Sequence, residues 1–309
     1  MINRELARLK VFQLIYAYGR SGGKPMDAAD KELEFSLEKT HELYLYLLNF
    51  LVDVHDYAVR KFESLSAISK RNGEDSGDAE RARLLAENRF LLQLSENETL
   101  AAYREKKEDW DEEPALRKRF YEEFVGSDIF AAYQESAQFD YDADRELVRK
   151  LYRTLVEGDE GLDEALEEHN LYWNDDRWVV DSFVVKTVKR FNPENGAEQA
   201  LLPTFENADE KQFAFDLLHQ TLEHEEELVD LIRRNCKNWD FERLAVVDVT
   251  IMEMALAEML YMPGVPVVVS MSVYIDLAKV YSTPQSSGYI NGLLDHLVDL
   301  LRKDGKLLK

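Results

Sequence analysis

Apolar residues recur at helical spacing along almost the whole chain, and this pattern constrains the fold more than any other feature. In residues 244–259, for example, Leu244, Val247, Ile251 and Met254 fall on one face of a helix. Comparable patterns predict helices at residues 4–18, 31–62, 79–104, 116–133, 145–155, 210–234 and 289–301. Because clear strand patterns are scarce, the sequence predicts an all-α fold.

Several segments interrupt this helical pattern. Residues 72–78 predict an exposed loop, residues 192–196 predict a break, and residues 282–288 predict a turn, because Gly, Pro, Ser and Asn favour turns. Asp240 is a candidate cap for the helix that follows it. The β-branched residues 267–269 fit a strand as well as the start of a helix, and the local pattern leaves the two open.

Charge limits the partners that the chain can bind. The chain has 61 acidic and 38 basic residues, a formal net charge of -23. This excess of negative charge opposes broad attraction to a nucleic-acid backbone, so any RNA contact must be local. A basic partner such as a ribosomal protein would be attracted, although the same charge also aids solubility.

Other composition features predict a soluble cytoplasmic protein with a substantial core. The 309 residues are 45% hydrophobic, enough for one large domain or two ordinary ones. The single cysteine, Cys236, has no partner for a disulfide. The N-terminus does not read as a secretion signal, and no stretch is apolar and long enough to cross a membrane.

Catalytic motifs are weak. Glu38 with His41 and Asp216 with His219 have the spacing used by two-metal sites in helical bundles, but an acidic chain produces this spacing readily by chance. The sequence has no H-E-x-x-H motif, no Walker loop and no G-x-G-x-x-G after a strand. We therefore expect neither an enzyme nor a bound cofactor.

The C-terminal residues carry a family resemblance. Residues 276–279 read D-L-A-K, Tyr281 and Ser286 follow, and residues 289–295 read Y-I-N-G-L-L-D. This series resembles the E-L-A-K, aromatic, serine and F-V-N-G-V-L-D series of the NusB family. The first helix, with Arg4 and Arg8 and a Q-x-I-Y end, is similar to the family's arginine-rich first helix.

The resemblance covers roughly residues 1–18 and 205–305. It implies a NusB-like bundle of two packed helical subdomains, split between residues 1–19 and 200–309, with residues 20–199 as an inserted, acidic helical region. The family fold also favours helix at residues 267–269.

The resemblance implies a function as well. NusB proteins bind single-stranded boxA-type RNA together with NusE, a small-subunit ribosomal protein, in transcription antitermination complexes that contain RNA polymerase and serve ribosomal RNA synthesis. No catalysis is implied. The RNA surface implied here consists of Arg4, Arg8, Lys279, Ser286, Ser287, Tyr289 and Asn291.

Each of these residues also has an ordinary structural interpretation. Arg4 and Arg8 are one turn apart and suited to gripping phosphates, but they also fit an ordinary helix surface. Tyr289 fits base stacking or core packing, and Asn291 fits a base contact or a brace for the last helix. Lys279 fits a phosphate contact or a favourable charge at a helix C-terminus.

Four positions depart from the family pattern. Glu5, Leu6 and Gly288 stand where the family often has basic residues, and Val273 replaces a frequent glutamate. These departures support an alternative function, a protein-interaction adaptor that has kept the fold and lost RNA binding.

Overall fold

The computed structural model describes residues 1–21, 25–72, 77–106, 114–136, 138–173, 175–236 and 241–307. These residues form helices joined by short connections, with one isolated β-bridge between Ile2 and Phe205. The all-α prediction is confirmed. The α-helices are α1 (Arg4–Ser21), α2 (Met26–Asn72), α3 (Gly77–Ala86), α4 (Arg89–Ser95), α5 (Glu98–Lys106), α6 (Pro114–Gly126), α7 (Asp128–Ser136), α8 (Tyr141–Leu151), α9 (Glu160–His169), α10 (Arg177–Arg190), α11 (Ala208–Glu223), α12 (Glu225–Asn235), α13 (Val246–Tyr261), α14 (Val267–Tyr281) and α15 (Pro284–Lys303).

The chain divides into two compact units. The terminal unit contains Met1–Glu38 and Thr204–Lys309, and the middle unit contains Lys39–Pro203. The start of α2 belongs to the terminal unit, where Lys211 pairs with Glu34 at 2.7 Å. The sequence placed the boundaries after residue 19 and before residue 200, and the treatment of residues 20–199 as one inserted domain stays a prediction.

Helix α13 is the centre of the terminal unit. It packs against α1, α11, α12, α14 and α15. Its residues Ile251, Met252 and Met254 are completely buried, as are Leu256 and Met259. A helix that is apolar on nearly every side needs neighbours all round, which explains its central position.

The middle unit has its own core, and hydrogen bonds hold the turn that follows α10. Phe50 packs edge-on against Phe120, with ring centroids 4.9 Å apart. The break predicted at residues 192–196 is a short 3-10 helix, Pro193–Glu198, in which Gly196 has a φ of 50°. The side-chain amide of Gln93 donates to the carbonyls of Asn192 and Gly196, both at 2.9 Å, so this turn is fixed.

Three helix predictions and one turn prediction need correction. The stretch 210–234 is wrong as a single helix, because it is interrupted at His224, between α11 and α12. The stretch 79–104 is wrong as a single helix, because Asn88 and Asn97 cap the starts of α4 and α5 inside it. The stretch 116–133 is interrupted in the same way at Ser127. The turn predicted at residues 282–288 is helical from Pro284 onward. Residues 267–269 are helical. The centre of the loop predicted at residues 72–78, and Asp240, lie outside the described residues.

Among the residues described above, no helix combines the length and the apolar character that crossing a bilayer requires.

Candidate RNA interface

Arg8 lies inside the terminal unit. Its side chain is 4% exposed, and its guanidinium donates to both oxygens of Glu258, at 2.7 and 2.9 Å. Ser270 donates to the same carboxylate at 2.6 Å and Tyr274 at 3.2 Å. Burial lowers the pKa of Arg8, but the hydrogen bonds and the charge of Glu258 outweigh it and raise that pKa. The guanidinium that was a candidate phosphate ligand therefore joins α1, α13 and α14 in the core.

Arg4 lies on the surface of the same helix face. Both arginines contact the ring of Phe213, with guanidinium carbons 5.0 Å (Arg4) and 4.8 Å (Arg8) from its centroid, as their one-turn spacing predicts. The Arg4 side chain is 44% exposed and lies 3.5 Å from a carboxylate oxygen of Glu210. It lines a groove that also includes Asp209 and the turn after α13. Arg4 is exposed, but its surroundings are acidic.

The two serines lie in the first turn of α15. Thr283 caps this helix, its hydroxyl accepting the backbone N–H of Ser286 at 3.2 Å, and Pro284 occupies the first helical position. Ser287 donates its hydroxyl to the Pro284 carbonyl at 3.1 Å. The cap and the proline are a helix-start signal, which outweighs the turn tendency of the neighbouring serines and glycine.

Tyr289 and Asn291 differ in exposure. Tyr289 is half-buried, and burial together with the neighbouring Cys236 thiol raises the pKa of its phenol. Asn291 is exposed, one helical turn after Ser287 and on the same side of α15. An added Cβ at Gly288, next to this strip, would meet nothing within 4 Å. The surface at Gly288 is therefore open.

Lys279 is seven positions before Ser286, in the last turn of α14. Its side chain is 60% exposed and pairs with Asp276 at 2.7 Å. The ring of Tyr281 packs on Phe12 of α1, with centroids 5.2 Å apart. We call the end of α14 and the start of α15 the corner; it contains the exposed Lys279 and Asn291 and the half-buried Ser286, Ser287 and Tyr289.

The structure thus separates the predicted interface into two parts. The corner residues all come from the end of α14 and the start of α15, whereas Arg4 is eight positions before Phe12, or about 12 Å along α1. Arg8 lies on neither surface. The buried partners of Arg8, namely Glu258, Ser270 and Tyr274, were missed. A glutamate within the apolar helix α13 was the available signal, because a buried carboxylate requires donors.

The residues of the two-metal alternative have other partners. His41 donates a ring N–H to the carbonyl of Leu202 at 2.9 Å, and burial lowers the pKa of His41. His219 lies 2.6 Å from a carboxylate oxygen of Asp30. Within the part of the chain that the structure describes, no three His, Cys, Asp or Glu side chains group closely enough to hold a metal ion.

Comparison with known proteins places this arrangement in a family. The model of the NusB family matches residues 183–299. A protein named transcription antitermination protein NusB from Salinibacter ruber is 36% identical over 132 residues, which cover 41% of this chain and 82% of the relative. The chain belongs to the NusB family.

Other family members give shorter or weaker matches. A transcription antitermination protein NusB from Carboxydothermus hydrogenoformans is 41% identical over 87 residues, covering 28% of this chain and 60% of that protein. The solved structure of T. maritima NusB aligns at 24% identity and a TM-score of 0.29, covering 44% of this chain and 83% of that one.

The family match leaves out one helix that packs against the matched region. The matched residues begin in α10 and end in α15, so α1 lies outside them. In the structure α1 packs against α11 and α13, both within the match. The departure at Leu6 also has a physical reason, since Leu6 is buried and an arginine there would have no access to solvent.

Proposed function

We propose that this protein is a transcription antitermination factor. It binds single-stranded boxA-type RNA together with a NusE-like ribosomal protein, in a cytoplasmic complex with RNA polymerase. The observation that carries the proposal is the corner, where the end of α14 supplies an exposed cation and the start of α15 an exposed amide and a half-buried aromatic ring, in a chain whose relatives are named antitermination proteins. Amides read base edges, and aromatic rings and cations contact bases and phosphates in single-stranded RNA.

Membership of a family of transcription factors also supports the proposal that the protein has no catalytic activity. In this proposal Arg8 positions α1 through Glu258, and Arg4 is the member of the arginine pair that reaches RNA. The proposed direct contacts are Arg4, Lys279 and Asn291, with Ser286, Ser287 and Tyr289 shaping the corner.

The test is fluorescence anisotropy of a labelled boxA RNA, titrated with the protein alone and with NusE. Lys279→Ala and Asn291→Ala should each weaken binding about tenfold, which is about 1.4 kcal/mol. His296→Ala is the matched control, because His296 is exposed on α15 but about 140° around the helix from Asn291. Arg8→Ala is unsuitable, since it leaves Glu258 buried without its cation.

Equal binding by wild type and the two corner variants would contradict the proposed RNA surface. Gly288→Lys gives an independent test, because it adds a cation at an exposed position with open space around it. We expect it to tighten RNA binding. A folded protein that binds NusE but no RNA, with or without this added lysine, would instead identify the protein-interaction adaptor.

The adaptor is the second candidate because of charge. A net charge of -23 repels RNA, and Glu5, Leu6 and Gly288 supply none of the basic side chains common in the family.

A further inference from the structure

One segment of the middle unit exposes three large apolar side chains, while two of its charged side chains are buried. In residues 171–178, Leu171 is 75% exposed, Trp178 58% and Tyr172 38%. Asp176 and Arg177, in contrast, are buried. Single exposed apolar residues are common, but a cluster of large ones suggests an interaction surface.

Inward contacts fix the orientation of this segment. Thr40 donates its hydroxyl to the buried carboxylate of Asp176 at 2.5 Å. Trp173 is buried and donates its indole N–H to the carbonyl of Lys39 at 3.0 Å. Leu171 and Tyr172, which precede Trp173 in the same short 3-10 helix, therefore stay on the outside.

Arg177 fixes the other end of the segment. Its guanidinium donates to Asp181 at 2.9 Å, to Asp163 at 2.6 Å and to the carbonyl of Val156 at 2.6 Å. Burial lowers the pKa of Arg177, but the charge of Asp181 and the other acceptors outweigh it and raise that pKa. Because these contacts hold Arg177 on the inner side of α10, the next residue, Trp178, stays exposed to solvent.

The preceding helix, α9, carries negative charge on its exposed side. In α9, Leu162 and Leu166 are buried, while Glu164, Glu167 and Glu168 are exposed. These three carboxylates form no ion pair with the part of the chain that the structure describes. Glu168 precedes Leu171 by only three residues, so the negative charge of α9 comes directly before the exposed apolar side chains in the chain.

We propose that this surface docks an arginine- and lysine-rich segment of another protein that also carries apolar side chains. We call it the tryptophan surface; it consists of Leu171, Tyr172, Trp178, Glu164, Glu167 and Glu168. The aromatic faces and the carboxylates both attract guanidinium and ammonium groups, and Leu171 offers an apolar contact. The same carboxylates repel nucleic acid. This interaction is independent of RNA binding at the corner.

The test is anisotropy of a fluorescein-labelled peptide that repeats Arg-Leu-Lys, titrated with the full chain at low and high salt. Leu171→Ser/Trp178→Ser should weaken binding about tenfold or more, as removal of central anchors does. Glu164→Gln/Glu167→Gln/Glu168→Gln should weaken it chiefly at low salt, because salt screens exposed charges. A matched peptide repeating Glu-Leu-Glu should not bind.

Matched controls exist in the same unit. Glu96→Gln/Glu194→Gln/Glu198→Gln removes the same charge from exposed positions; the last two follow the far end of α10, which is about 20 Å long. Leu92→Ser removes another exposed apolar side chain. The proposal is overturned if the basic peptide does not bind, if the controls weaken binding equally, or if the acidic peptide binds as well. Self-association that disappears in Leu171→Ser/Trp178→Ser, without peptide binding, would assign the surface to a second copy instead.

Discussion

Arg8 and Glu258 form a buried ion pair. Losing one partner of this pair should cost more stability than losing any surface ion pair. Removing one partner leaves the other charge buried, a loss on the order of 3–5 kcal/mol. We therefore expect Arg8→Ala to lower the free energy of unfolding by this amount in urea titrations. Arg4→Ala is the control, because the exposed Arg4–Glu210 pair is worth about 1 kcal/mol or less. Similar losses in both variants would contradict the structural role of Arg8.

Glu253 is a second buried acid in α13, and its ionisation should make stability depend on pH. Burial, with a smaller contribution from the charge of Glu225, raises the pKa of Glu253 to about 8. A carboxyl whose pKa is raised on folding stabilises the fold most below its ordinary pKa, and this stabilisation is lost as pH rises to about 8. The loss is on the order of 1.4 kcal/mol for each pH unit across that window.

Glu253→Gln should remove this dependence. The free energy of unfolding of the variant minus that of wild type should increase from pH 5 to pH 8, by about 1.4 kcal/mol for each pH unit. Urea titrations at both pH values measure this difference. Glu226→Gln, an exposed change of the same charge, should show no such gain. If the difference between Glu253→Gln and wild type is the same at both pH values, Glu253 is already ionised in the folded protein.

At the scale of elements, the start of α15 depends on its cap. Thr283→Ala removes the side-chain acceptor for the Ser286 N–H and should lower stability by about 1 kcal/mol. Thr283→Ser keeps a hydroxyl and should retain most of that stability. Thermal unfolding of the two variants checks this, and equal melting temperatures would show that the cap contributes nothing.

The sequence predicted most helices because their apolar spacing is a local property. It did not predict where α4 and α5 begin. Asparagine is a common N-cap residue, but the bonds that hold Asn88 and Asn97 in place go to distant carbonyls. The side-chain amide of Asn88 donates to the carbonyl of Asp144 at 3.2 Å, and that of Asn97 donates to the carbonyl of Gln199 at 2.7 Å. Pattern reasoning cannot see acceptors that lie so far along the chain.

The candidate interface shows the same limit. Helical spacing correctly placed Arg4 and Arg8 on one face of α1, where both contact the ring of Phe213. It could not show that Arg8 turns inward, because Glu258 lies 250 positions away in the sequence. The corner residues come from neighbouring parts of the sequence, and their role in RNA binding stays a prediction.

At the scale of the whole molecule, net charge should set how RNA binding responds to salt. A chain of charge -23 gains little from general attraction to phosphates, so binding has to rely on the few cations of the site. The proposed RNA contacts include two cations, Arg4 and Lys279. An exposed arginine and an exposed lysine, each already near a carboxylate, are a weak electrostatic footprint.

We therefore expect a shallow salt dependence of boxA binding. Two phosphate contacts on a single strand give a slope of log K against log salt of about -1.4, and Gly288→Lys should steepen it by about 0.7. Anisotropy titrations across a salt series measure both values. A wild-type slope steeper than about -4 would require more phosphate contacts than Arg4 and Lys279 can make, and would place much of the RNA on a surface outside the corner.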